Sequence, residues 1–155
     1  MLGFAINTPI ALYYMQGLNL TTAHGHAALF GVYGMLGIGL LLFCLRGLSS
    51  RAAWSDALLR PMFWCLNIGL AMMVFMSLVP SGIYQAWASV TQGTWYARSP
   101  AVVHSAFMEA CVWLRVPGDI VFTVGVVLLA WFAVRLLLPS KQEPVLVSPV
   151  ATRHV

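Results

Sequence analysis

An all-α bundle of membrane-crossing helices is the fold class this sequence predicts, and three observations predict it. Hydrophobic residues make up 61% of the 155 positions. Charged residues make up only 8%, against about 25% in an ordinary soluble domain. Three apolar stretches, about Thr21–Leu45, Pro61–Tyr84 and Ala110–Leu138, reach the roughly 20 residues a helix needs to cross a bilayer. The pattern predicts helices over about 1–16, 20–46, 61–86 and 107–138, with a disordered tail over 139–155.

The first stretch, about Met1–Gln16, is short for a span and holds Asn7 and Pro9. No basic residue precedes its apolar run and no small-residue cleavage site follows, so it does not read as a signal peptide. It reads as the second half of a helix. A polar turn, Gln16–Thr22, leads into a helix opened by His24-Gly25-His26, on which Gly31, Gly34 and Gly37 give a face without side chains. Such a face admits a close helix or a flat cofactor. A basic loop, Gly47–Arg60, precedes a helix that starts at Pro61 and ends near Pro80-Ser81-Gly82. Residues Gln85–Ser105 read as a polar, aromatic loop with room for a short interfacial helix. The last helix carries Arg115, Pro117, Gly118 and Asp119 near its start, and the tail from Pro139 onward is punctuated by proline.

The net charge of +4 forms no patch for nucleic acid and reports orientation instead. Arg46, Arg51 and Arg60 flank one loop, and Arg135, Lys141 and Arg153 lie at or beyond the last helix; the long loop carries only Arg98. The positive-inside rule makes the Arg46–Arg60 loop and the C-terminus cytoplasmic, with the two histidines toward the outer face. Trp87, Trp95 and Tyr96 suit an outer aromatic belt and Trp54 an inner one. Cys44, Cys65 and Cys111 have no CxxC or CxxCH spacing, which leaves them as packing residues and excludes a covalent c-type haem.

His24 and His26 carry the chemistry. Each helical residue turns about 100°, so positions i and i+2 lie about 200° apart. The two imidazoles point to opposite flanks and cannot share one metal. If both ligate, one helix stands between two prosthetic groups. Ionisable side chains within spans are costly and mark function, and haem iron takes histidine readily. The alternative is a pair of interfacial histidines capping a helix end.

The run TTAHGHAALFGVYGMLGIGLLLFCLR, with FWCLNIGLAMMVFMSLVPSGIYQAW, GTWYARS and WLRVPGDIVFTVG, resembles the C-terminal part of nitric oxide reductase large subunits, within the haem-copper oxidase superfamily. With Gly3–Tyr14 the likeness covers most of residues 2–135 and is nearest the single-chain, quinol-oxidising form. It implies the last three core helices of that fold plus part of a preceding one. It implies that His24 is the catalytic haem b3 ligand and His26 an axial ligand of haem b, in a bacterial inner-membrane enzyme of denitrifying respiration that reduces NO to N2O. The family's non-haem iron takes three histidines and a glutamate from earlier helices. This chain has only His104 and His154 besides the pair, and neither belongs to a motif. The expectation is therefore a fragment, from a truncated gene, a partial gene model or a split polypeptide, inactive alone. Its partners would be the missing N-terminal helices, quinol or cytochrome c as electron donor, and the bilayer. The rivals are a cytochrome c-dependent reductase, an O2-reducing oxidase, and a membrane scaffold without cofactor.

Arg115 and Asp119, four apart on one helical face, read as a structural ion pair or as a support for haem propionates. Arg98 is a further propionate candidate. Glu109 reads as a solvated helix-start carboxylate that suits the helix dipole, or as part of a proton path. Met62, Met72, Met73 and Met76 read as packing or lipid-facing residues, and Asn7 as a hydrogen-bonding partner for nearby backbone.

Overall fold

The computed structural model describes residues 2–49 and 54–138. Arg51 and the tail over 139–155, with Lys141, Arg153 and His154, lie outside the described residues. The described residues are helical with no strand, and three helices are long and apolar enough to cross a membrane.

The first stretch divides into α1 (Leu2–Asn7) and α2 (Pro9–Met15). The break falls at Thr8, which is extended (φ −62°, ψ 139°). A residue before proline is pushed out of the helical region by the proline ring, so the single helix expected over about 1–16 is corrected to two. Asn7 donates to the Gly3 carbonyl at 2.8 Å, the local backbone role its sequence position suggested. The turn after α2 passes through Gly17 at φ +73°, where a side chain would be strained.

Helix α3 (Asn19–Leu48) is continuous. It is α-helical to Gly25, widens to a π-helix over His26–Gly34, and returns to α over Met35–Leu48. A π stretch inside an α-helix is rare and concentrates at functional sites; this one begins on the second histidine. No residue from His26 to Leu48 is buried.

Helix α4 (Asp56–Gln92) is longer than the sequence suggested at both ends. Pro61 lies inside it rather than at its start. A proline this near an N-terminus removes a single backbone bond, and the turn ahead of it is held by Leu58 and Leu59 donating to the Ser55 carbonyl at 3.2 and 3.3 Å. The stop expected at Pro80-Ser81-Gly82 is also corrected. A π-helical stretch, Met73–Leu78, precedes Pro80 and loosens the ladder where the ring would crowd the preceding turn. The helix ends only at Gly93, φ +98°. Gln85 and Trp87 are therefore helical, and the outer loop shrinks to a 3-10 turn at Tyr96–Arg98 and a short α5 (Pro100–Val103). Helix α6 (Ala106–Leu137) runs through Pro117 without a break.

Close glycine contacts set the packing. A Cβ at Gly69 of α4 would lie 2.5 Å from the Phe122 nitrogen, and one at Gly118 of α6 would lie 2.9 Å from the Met73 nitrogen. The α4 and α6 backbones thus touch, as small residues allow in membrane bundles. Higher up, a Cβ at Gly82 would collide with the Leu20 nitrogen, so the start of α3 rests on α4. There Gln85 Oε1 accepts from the Asn19 backbone N–H at 3.0 Å, satisfying one of the unpaired donors of a helix N-terminus. At the opposite end Trp54 packs edge-on against buried Phe132 (5.0 Å) and under the Arg46 guanidinium (4.8 Å).

Candidate functional site

His24 sits in the last α-helical turn before the π stretch, and His26 is the stretch's first residue. Their rings meet different neighbours. The His24 imidazole lies against α1, where a Cβ on Gly3 would approach its Cε1 to 2.7 Å and its Nε2 to 2.9 Å. Only the bare backbone of a glycine leaves room for that ring. Gly3→Ala is expected to rotate the His24 ring out of this position and to cost about 1–3 kcal/mol of stability, the range for overpacking. Histidine NMR shifts and a denaturant titration in detergent measure the two effects.

His26 faces α4 and α6. Its Nδ1 is 3.0 Å from the Thr22 carbonyl oxygen, which can only accept, so Nδ1 carries the proton. The lone pair of the neutral ring is then on Nε2, the arrangement found in metal-ligating histidines whose other nitrogen is fixed by a carbonyl. An Arg115 Nη2 donor stands 3.3 Å from that Nε2. The ring tilts against Phe30 with centroids 5.7 Å apart, and Phe30 meets Phe122 of α6 at 6.0 Å. These groups line a pocket of about 350 Å³ whose remaining wall is Leu70, Met73, Asp119 and Thr123. It has an apolar floor and a charged edge, which is the build of a small-molecule or cofactor site.

The Arg115–Asp119 pair closes at 3.4 Å, Nε to Oδ1, with the side chains 36% and 46% exposed. At that exposure the pair contributes little by itself, roughly 0–1 kcal/mol. Its consequence is to aim the guanidinium across the helix interface at His26. The other candidates lie elsewhere. Arg98 donates to the Thr94 carbonyl at 2.6 Å and to the Gln16 carbonyl. It ties the outer turn to the end of α2 and lines a separate pocket with Tyr13 and Trp95. Glu109 is exposed in the first turn of α6, and His104 is exposed at the end of α5. Met62 and Met73 are buried in the packing. Among the described residues no three of His, Cys, Asp or Glu come together as a metal site.

Thr22, Phe30, Phe122 and Thr123 were not singled out by the sequence reading. Thr22 and Phe30 carried a signal, since each is four residues from His26 and so on its helical face. Phe122 and Thr123 reach the pocket only through the docking of α6.

A family model described as cytochrome C and quinol oxidase polypeptide I matches residues 1–121. A nitric oxide reductase chain from Stutzerimonas stutzeri is 28% identical over 120 residues, which is 74% of this chain and 25% of that protein. The chain thus spans a quarter of the length of the curated relative it matches.

Proposed function

The chain belongs to the cytochrome C and quinol oxidase polypeptide I family, and from that premise we propose that it is part of the catalytic subunit of a respiratory nitric oxide reductase. Its three apolar spans and its family make it a multi-pass membrane protein. The proposed setting is the bacterial inner membrane, with the Arg46, Arg60 and Arg135 end and the C-terminus in the cytoplasm.

The observation that carries this reading is the pair of neighbouring histidines with separate surroundings. The donor set fits haem: each imidazole lies on its own flank, and the His26 tautomer leaves Nε2 as the ligating atom. We assign His24 to haem b3 and His26 to haem b. When bound, haem supplies the one-electron chemistry for reducing NO to N2O together with a non-haem iron held by other helices of the subunit. The residues of this chain do the rest. The Thr22 carbonyl orients the His26 ring, Phe30, Leu70 and Phe122 exclude water from its flank, and Arg115 offers a cation at the pocket edge to the carboxylates of a haem.

The test uses membranes carrying this chain together with the N-terminal helices of the subunit. Isotopically labelled NO with quinol as donor should give labelled N2O in a mass spectrometer. Haem-loaded protein that forms no N2O with quinol or with reduced cytochrome c defeats the reading. The family is one of cytochrome c and quinol oxidases, so O2 uptake without N2O favours the oxidase rival. Activity with cytochrome c alone moves the electron donor and leaves the reaction in place.

A further inference from the structure

Beside the His26 pocket, on the other side of Arg115, lies a second cavity of about 130 Å³ between α3, α4 and α6. Its wall is mixed: Asn19, Ser77, Ser81 and Arg115 bring polar groups to it, beside Leu78, Cys111 and Val112. We propose that this cavity is a water site, holding a small cluster that solvates Arg115 and joins it to the polar groups at the start of α3. The inference is independent of the haem reading.

Three observations carry it. The first is room, since one water needs roughly 15 Å³ of such space and this cavity exceeds that several times over. The second is the number of polar partners. Asn19 Nδ2 donates to Ser81 Oγ at 3.0 Å, and Ser81 Oγ donates to the Ser77 carbonyl at 2.7 Å. That leaves the Asn19 carbonyl and second amide hydrogen, and a lone pair on Ser81, for a bridging molecule. Ser77 and Ser81 are only 4% and 2% exposed, so bulk solvent does not serve them. Cavities stay dry when their walls are wholly apolar, and this one carries the polar groups of Asn19, Ser81 and Arg115.

The third observation is Arg115 itself. Its guanidinium has five N–H donors; Nε faces Asp119 and one Nη2 hydrogen faces His26. Arg115 lines this cavity, and within an apolar span its remaining donors favour a place that offers acceptors. A water cluster there supplies those acceptors. It also continues the chain of hydrogen bonds from Gln85 and Asn19 to the edge of the His26 pocket.

Cys111, buried in the cavity wall, is a built-in reporter. With Cys44 and Cys65 changed to alanine, the Cys111 S–H stretch is the only thiol band in the infrared spectrum. A wet cavity should let that band convert to S–D within minutes of transfer to D2O. Ser77→Val removes a polar group from the wall, and Val112→Phe, at a residue that also lines the cavity, narrows it from the exposed side of α6. Each should slow the exchange about tenfold or more, as protected sites exchange only through opening; the second variant guards against misfolding of the first. An S–H band that persists for hours in the parent chain shows a dry cavity and overturns the proposal. So does exchange that is fast and equal in the parent and both folded variants, because the thiol is then reached by another route.

Discussion

Replacing His26 by leucine in the haem-loaded protein is expected to remove the low-spin haem signal and leave the high-spin one, and replacing His24 is expected to do the reverse. The separation follows from the surroundings of the two rings. His24 packs on the Gly3 backbone, whereas His26 holds the Thr22 carbonyl, Phe30 and Arg115. The contacts of the two rings fall on different elements, α1 for His24 and α6 for His26. Each single variant should therefore keep about half of the haem measured as pyridine haemochrome, and the double variant none. In the haem-free chain, where the Nε2 lone pair is free to accept from Arg115, His26→Leu removes that acceptor at a cost of about 1–3 kcal/mol and should be the less stable of the two in a denaturant titration. Both variants retaining two distinct haem spectra would falsify the axial assignments. Both losing all haem would mean that the rings act through one site, against the separate neighbours seen here.

How much of this was legible in the sequence depends on whether the deciding contact is local. The divergence of His24 and His26 was readable because helical rotation alone sets it. The three apolar spans were readable from length and composition. The limits of α4 were not, since Pro61 and Pro80 are strong local stop signals and the surrounding helix overrides both, the second through a π-helical stretch. The glycines make the same point. Gly31, Gly34 and Gly37 gave a smooth face in the sequence, yet a Cβ at Gly37 would meet nothing within 4 Å and one at Gly31 only a Leu70 methyl at 3.3 Å. The glycines that receive another backbone are Gly69, Gly82, Gly118 and Gly125. A helix sequence tells which face is smooth, and only the partner tells whether that face is used. Arg115 is a third case. Its pairing with Asp119 followed from the i, i+4 spacing, whereas its reach to His26 depends on how α6 lies across α3 and has no signature along the chain.

Gly69→Ala is expected to be among the most damaging conservative changes outside the histidines. The added carbon would lie 2.5 Å from the Phe122 nitrogen and 2.8 Å from its Cα. These are backbone atoms, so no side-chain rotation relieves the overlap and α4 must move away from α6. Overpacking costs about 1–3 kcal/mol where side chains can adjust, and a backbone contact belongs at the upper end, about 3 kcal/mol. Gly37→Ala is the matched control, with open space around the new methyl and a gain of up to about 1 kcal/mol in helix propensity. A denaturant titration of both variants in detergent should place them on opposite sides of the parent chain. If Gly69→Ala proves as mild as Gly37→Ala, the close α4–α6 contact is wrong. The displacement should also reach the site. Phe122, the residue struck, supplies its ring to the His26 pocket and packs against Phe30; Leu70, the next residue after Gly69, lines the same pocket. In the haem-loaded protein the spectrum assigned to His26 should therefore shift in Gly69→Ala while that assigned to His24 stays, because the Gly3 contact lies outside the disturbed interface.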